Sequence, residues 1–127
     1  MSRLIIEAVS NQKTNYSLGE KLLILVSVSK AHDGKPIIGL KETNFKISRS
    51  PATSAYNVKV DMVIEVPWGL PNDNEATGFY ELVIAQIPSG EWTNNEIYCF
   101  GIQVIDFKNS IPISFGQTVV IVQNVGT

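Results

Sequence analysis

The stretch Gly78–Phe107, GFYELVIAQIPSGEWTNNEIYCFGIQVIDF, decides the fold class because it holds two long strand patterns on either side of one polar connector. In Phe79–Ile87 and in Ile97–Phe107, large apolar residues recur at every second position. Successive side chains of a strand point to opposite faces of the sheet, so this period is typical of half-buried strands. In Phe79–Ile87 the second face is apolar too, through Phe79 and Val83, which indicates central strands of a layered β protein.

The connector Pro88–Glu96 separates these two strand patterns by nine residues. Neighbouring strands of a hairpin usually need a loop of only about two to five residues. A chain that crosses from one sheet to another needs more. The length of the connector therefore favours a sandwich in which the two strands are not neighbours.

The rest of the chain repeats strand patterns, with turn residues between them and no helical period. The further predicted strands are Arg3–Val9, Lys21–Lys30, Phe45–Ser48, Tyr56–Val66 and Phe115–Asn124. A short edge segment is predicted at Ile37–Leu40 and a turn at Lys108–Ser114, which contains Pro112. About seven strands with such spacing predict an all-β sandwich or barrel, and the connector favours the sandwich. We expect Met1–Thr127 to be a single domain.

The predicted strand Tyr56–Val66 has the cleanest alternation in the chain. Its even-numbered positions form the predicted core face, and these are Tyr56, Val58, Val60, Met62, Ile64 and Val66. Its odd-numbered positions are polar or charged except Val63. One wet face and one core face are typical of a strand in an antiparallel sheet.

The bulk composition excludes several function classes. The chain has 127 residues, of which 44% are hydrophobic and 17% charged, and its net charge is -2. This composition is that of an ordinary globular domain. Lysine and arginine form no block that could follow a phosphate backbone or dock on an anionic membrane, so neither partner is expected.

Reactive side chains are scarce. Cys99 is the single cysteine and His32 the single histidine, and they lie far apart in sequence. A catalytic thiol needs a nearby base, a Ser-His-Asp set needs a histidine beside its serine, and zinc needs three or four ligands. The glycines are isolated and form no phosphate-binding loop. The sequence therefore predicts no enzyme, no cofactor and no metal site.

Several turn and core segments together resemble the immunoglobulin-like sandwiches of bacterial multidomain and surface proteins, including macroglobulin-type modules. The segments are Tyr16–Glu20, Asp33–Ile37, Gly78–Leu82 and the alternating strand Tyr98–Val104. The resemblance implies a non-catalytic spacer, adhesive unit or docking surface, with Tyr98 similar to the tyrosine-corner residue. The paired cysteines and intervening tryptophan of antibody domains are missing from this sequence.

Four loop residues are the candidate ligand- or partner-binding residues: Trp68, Asp73, Glu75 and Trp92. A tryptophan in a loop can contact a partner or fold back over the core as a lid. The lid is favoured for Trp92, which lies in the connector, and both alternatives stay open for Trp68. The oxygen-rich cluster Asn72–Glu75 could supply calcium ligands, but it lacks EF-hand spacing and a solvated loop is favoured.

The functional hypothesis is a non-catalytic protein-interaction or assembly module, whose partner is another protein or another domain of a longer chain. The alternative is a carbohydrate-binding module that uses Trp68, Trp92 and Tyr56 as stacking rings. The apolar run Leu4–Ile6 is too short for a signal peptide, and nothing approaches the ~20 apolar residues of a membrane span. We expect a cytoplasmic protein if the chain is complete, or an extracellular module whose leader was removed.

Overall fold

The computed structural model describes residues 2–10, 21–50, 57–67, 76–88, 90, 92 and 97–123. These residues form seven strands and one short 3-10 turn, Glu42–Asn44. The strands are β1 (Ser2–Ser10), β2 (Lys21–Lys30), β3 (Phe45–Ser50), β4 (Asn57–Pro67), β5 (Ala76–Ile87), β6 (Ile97–Lys108) and β7 (Ile111–Gln123). The prediction of an all-β chain is confirmed. Within the described part of the chain, no helix is long and apolar enough to cross a lipid bilayer.

The strands form one mixed sheet in the order β3-β6-β7-β1-β2-β5-β4. Every neighbouring pair is antiparallel except β1 and β7, which pair in parallel at Ser2 and Arg3. Gly116 permits this approach, because a Cβ there would lie 2.7 Å from the Leu4 carbonyl oxygen. The edge strands β3 and β4 lie close to each other, so the sheet is nearly closed and barrel-like. Where two separate sheets were predicted, β1 thus joins both halves into one continuous sheet.

The connector between β5 and β6 joins strands that are not neighbours. In the described ladders β5 pairs with β2 and β4, whereas β6 pairs with β3 and β7. The prediction drawn from the length of the connector is therefore confirmed on this point. It follows that β3, β6 and β7 form one half of the sheet, and β2, β5 and β4 form the other.

One hydrophobic core is shared by the two halves of the sheet. The alternations predicted for β2 and β6 are confirmed, because their predicted inner residues are buried: Leu22, Ile24, Val26, Val28, Tyr98, Phe100, Ile102 and Val104. Tyr80 of β5 and Phe45 of β3 meet across the core with ring centroids 5.6 Å apart. The outer faces of the two halves therefore point away from a common centre.

A β-bulge in β4 reverses the faces that the sequence predicts. The pairing with β5 changes register between Val60 and Met62, so Asp61 is an extra residue. A shift of one residue moves each following side chain to the opposite face. Met62 and Ile64 are consequently 48% and 44% exposed, and Glu65 is partly buried. The prediction that Met62 and Ile64 lie in the core is wrong for this reason.

The turn between β6 and β7 is shorter than predicted. It consists of Asn109 and Ser110, whose φ angles are 52° and 64°. Ile111 already pairs in β7, and Pro112 pairs beside a register shift, where a missing N–H is tolerated. The prediction of a turn over Lys108–Ser114 is right only for Asn109 and Ser110, because Lys108 still pairs in β6 and Pro112 does not end β7.

We expect Ser110→Gly to raise the free energy of unfolding by about 0.5–1 kcal/mol. Serine at positive φ brings its Cβ close to a backbone carbonyl, at a cost of about 1–2 kcal/mol that glycine avoids, partly offset by the entropy of glycine. Two-residue hairpin turns with positive φ at both positions prefer Asn-Gly. Thermal denaturation measures the change, with Asn109→Gly as the control, since asparagine already tolerates this conformation. A loss of stability in Ser110→Gly would contradict the strain argument.

The short edge segment predicted at Ile37–Leu40 does not form a strand. Pro36 makes an isolated bridge with Ser29, and the Ile37 amide donates to the Val28 carbonyl at 2.9 Å. Beyond that point the chain leaves β2 and is held by side chains instead of a ladder. The Gly39 amide donates to Oε1 of Glu65 at 2.9 Å.

Candidate functional site

Three of the four predicted binding residues lie outside the described residues. They are Trp68, Asp73 and Glu75. The cluster Asn72–Glu75 lies outside the described residues as well, so calcium binding there is also untested. Their proposed roles therefore stay predictions. The carbohydrate-binding alternative stays a prediction too, since Trp68 and Tyr56, two of its three rings, lie in the same ranges.

Trp92 packs against the core. Its side chain is 4% exposed, and its ring meets Tyr98 and Phe100 edge-on with centroids 4.9 and 5.7 Å away. The Arg49 guanidinium covers the Tyr98 ring at 4.9 Å from its centroid. This placement agrees with the lid interpretation of Trp92. A ring so deeply buried offers little area to a partner, and the contact role stays a prediction.

The single histidine and the single cysteine are far from each other in the fold as well. His32 is exposed in the turn after β2, with Nε2 3.4 Å from Oδ2 of its neighbour Asp33. The Lys35 amide donates to Oδ1 of Asp33, and this hydrogen bond holds the pKa of Asp33 below its ordinary value. Cys99 is partly buried in β6. In the described ranges, no group of three or more His, Cys, Asp or Glu is arranged to hold a metal ion.

The outer face of β1, β2, β5 and β4 carries a continuous apolar surface, which we call the apolar face. Its large exposed residues include Val9, Leu25, Met62, Ile64 and Phe79, with exposed fractions between 37% and 59%. Leu23 and Val83 lie between them and are covered by their neighbours.

Strand register shows that these residues are adjacent. Val9 pairs with Leu25, and in the next row Leu23 of β2, Val83 of β5 and Met62 of β4 follow each other across the sheet. Directly opposed side chains in a sheet lie about 5 Å apart and contact each other. Large contiguous apolar patches are uncommon on monomeric soluble proteins, and they often mark interaction sites.

A carboxylate stands in the middle of the apolar face. Glu81 pairs with Leu25 on one side and with Ile64 on the other. Glu7 lies nearer the rim, opposite Ser27. A partner that covers the apolar face therefore needs a cation opposite Glu81, because a carboxylate buried without one is strongly destabilised.

The outer face of β3, β6 and β7 has a different shape and charge, and we call it the grooved face. A groove of about 490 Å³ crosses it, lined by Lys46, Ile47, Ser48, Gly101, Ile102, Gln103, Gln117, Thr118 and Val119. Gly101 opens the groove, since a Cβ there would lie 2.9 Å from Oγ of Ser48. Lys46 is the one charged residue among these lining residues.

Large apolar residues flank the groove on β6 and β7. Ile97, Val119 and Ile121 are about two thirds exposed, and they are among the most exposed large apolar residues described. Val119 pairs with Gly101, and Ile121 pairs with Cys99, so this surface continues directly from the groove. The groove thus combines an apolar flank with Lys46 as its one charged lining residue.

Sequence reasoning missed both faces, although part of the signal was present. Apolar residues on both faces of β5 indicated a central strand of a layered protein, whereas Phe79 on its outer face is exposed and Val83 is covered only by its neighbours. The bulge at Asp61, which brings Met62 and Ile64 to that surface, has no local sequence signal. Gly101 was visible, because an isolated glycine inside a strand often marks a place of close approach.

Comparison of the chain with protein-family models, with curated proteins and with solved structures finds no match.

Proposed function

We propose that the protein is a non-catalytic protein-interaction or assembly module built on an immunoglobulin-like sandwich, with the apolar face as its binding surface. The observation that carries this proposal is the band of exposed apolar residues across four strands, with Glu81 at its centre. Such a surface gains free energy when a partner removes it from water. The known partner-binding role of exposed apolar patches supports the same conclusion.

The order of strand pairing supports the immunoglobulin-like part of the proposal. If β1 to β7 are lettered A to G, the ladders group A, B, E and D on one side and C, F and G on the other. This is the division of strands in constant-type immunoglobulin domains. The short parallel pairing of β1 with β7 joins the two groups.

The energetics favour binding by this face. Full burial of a Val, Leu, Ile, Phe or Met side chain contributes about 1.5–3 kcal/mol, and five such residues are exposed here. These side chains stand on the hydrogen-bonded ladders of β1, β2, β5 and β4. A surface on paired strands is already ordered before binding, so association loses little conformational entropy in the backbone.

We expect Met62→Glu to weaken partner capture at least about tenfold, because it places a charge in the middle of a surface that the partner dehydrates. The matched control is Ile38→Glu, since Ile38 is 58% exposed, at least as much as Met62 at 48%, but lies in the connection after β2 and not on the strands of the face. Equal amounts of each immobilised variant are incubated with lysate of the source cells and, separately, with untagged chain. Equal capture by Met62→Glu, Ile38→Glu and the unmodified chain would contradict the proposal.

A further inference from the structure

The apolar face and the grooved face lie on opposite sides of the molecule. They are the outer surfaces of the two halves of the sheet, whose inner surfaces share one core. Both faces expose large apolar residues, for example Met62 on the first and Ile121 on the second. A body with two apolar surfaces pointing in opposite directions can be covered on both only by two neighbours.

The charges of the two faces are complementary. The apolar face carries the carboxylates of Glu81 and Glu7, with Glu81 surrounded by apolar residues. A cation of this face, Lys59, lies on β4 two rows away from Glu81 and is already paired with Asp61, at 3.8 Å between Nζ and Oδ1. The groove of the opposite face carries the ammonium group of Lys46 and, among its lining residues, no carboxylate. Two apolar faces in contact would bring the like charges of Glu81 together, whereas the apolar face on the grooved face would bring Glu81 towards Lys46. Like charges brought together on dehydrated surfaces are strongly disfavoured.

The shapes of the two faces agree with the charges. Phe79 and Ile64 are 50% and 44% exposed, and each is adjacent to Glu81, Phe79 along β5 and Ile64 across the ladder. The groove at Gly101 has a volume of about 490 Å³, which is enough to receive side chains of this size.

We propose that the partner of the apolar face is the grooved face of a second copy of this chain, so that copies stack head to tail. This rests on the proposed function, whose binding surface it uses. The contact is heterologous, because a different surface is used on each copy. A heterologous contact produces a ring where the rotation closes and an open filament where it does not. The mass of the assembly is therefore expected to exceed that of a dimer as concentration rises.

Charge reversal tests the contact. We expect sedimentation velocity of the full chain to show a weight-average mass that rises past twice the monomer. Glu81→Lys and Lys46→Glu are each expected to weaken association at least about tenfold, because each places like charges opposite one another. The protein carrying both substitutions is expected to recover most of the association of the unmodified chain, since the pair is restored with its signs exchanged.

Matched controls use charged residues outside both faces. Glu42→Lys and Lys35→Glu change the net charge by the same amounts at exposed positions in the connection after β2, and are expected to leave association unchanged. Circular dichroism melts of every variant show whether it is folded. Substitutions at the partly exposed Glu81 and the exposed Lys46 are expected to change stability little.

Three results would overturn the head-to-tail contact. They are a monomeric mass at all concentrations, a mass that stops at twice the monomer, and a doubly reversed protein no better than either single variant. The second result would indicate an isologous dimer through one face. A monomeric chain that still captures another protein through Met62 would remove the head-to-tail contact and leave the proposed function standing. A chain that is monomeric and also captures no other protein would contradict both the head-to-tail contact and the proposed function.

Discussion

Replacement of Trp92 by alanine is expected to lower the free energy of unfolding by about 3–5 kcal/mol, the range found when large buried aromatic side chains are truncated. The indole is 4% exposed, and it meets the rings of Tyr98 and Phe100 edge-on. Edge-to-face pairs add about 0.5–1.5 kcal/mol to the gain from burial alone. Alanine leaves a cavity against two rings that are themselves fixed in β6.

Urea denaturation of the Trp92→Ala protein measures this loss. The control is Phe107→Ala, because Phe107 is 41% exposed and its truncation is expected to change the free energy of unfolding far less. The same pair of variants separates the two interpretations of Trp92. A stability change below about 1 kcal/mol, together with lost partner capture, would show that the ring acts as a contact and not as a lid.

The fold class could be predicted from the sequence because the inner faces of the strands obey a simple period. In β6 the alternation of Tyr98, Phe100, Ile102 and Val104 is found as four buried side chains. The connector Pro88–Glu96 could also be interpreted correctly on one point, since its length favours strands that are not neighbours, and β5 and β6 do not pair in the described ladders. These signals are local, and they depend on geometry that every strand shares.

The closure of the sheet and the bulge in β4 could not be predicted, because both depend on pairing between distant segments. Whether β1 joins the two halves is decided by the approach of its backbone to Gly116, across more than a hundred residues of chain. The extra residue Asp61 is visible only against its partner strand β5.

The predicted binding residues lie in loops, and three of them, Trp68, Asp73 and Glu75, stay predictions because they lie outside the described residues. Trp92, predicted as a lid or a contact, is buried at the core. The exposed apolar residues lie in strands, where sequence patterns do not tell a surface from a second buried side. Leu25 illustrates the difficulty: it follows the same β2 pattern as Leu23, yet Leu25 is exposed and Leu23 is not.

Replacement of Tyr80 by phenylalanine is expected to lower the free energy of unfolding by about 1–3 kcal/mol, the cost of leaving a buried polar group without its partner. The fully buried hydroxyl donates to the Ile37 carbonyl at 2.6 Å and accepts from the Leu40 amide at 3.3 Å. It thus ties β5 to the connection after β2, which has no ladder of its own. Phenylalanine keeps the ring contact with Phe45, so the loss reports the hydroxyl alone.

Chemical denaturation at neutral pH measures this difference. The control is Thr77→Val, which likewise removes a hydroxyl that donates once and accepts once: to the Val66 carbonyl at 2.6 Å and from the Phe79 amide at 3.2 Å, at a partly exposed site. We expect a smaller loss there, about 0.5–1.5 kcal/mol. An equal loss in the free energy of unfolding of the two variants would indicate that burial does not strengthen the contribution of the Tyr80 hydroxyl.

The free energy of unfolding at alkaline pH gives an independent test of the role of Tyr80. Burial raises the pKa of Tyr80 to about 12, against the smaller opposing effect of the hydrogen bond from Leu40 and with the help of the Glu65 and Asp106 carboxylates. In the unfolded chain a tyrosine titrates near pH 10. Below that value both states keep the proton and the stabilisation is complete. Between about pH 10 and 12 the unfolded chain releases the proton first, so unfolding becomes easier by up to about 1.4 kcal/mol per pH unit.

The Tyr80→Phe protein lacks this group, so its stability is expected to fall less steeply over the same interval. The difference between the two proteins should be largest at neutral pH and shrink as the pH approaches about 12. The other tyrosines are present in both proteins, so their titration cancels to first order in the comparison. Curves that stay parallel up to pH 12 would mean that the folded protein does not hold the Tyr80 proton more tightly than the unfolded chain. The buried hydroxyl could then not be what secures the connection after β2.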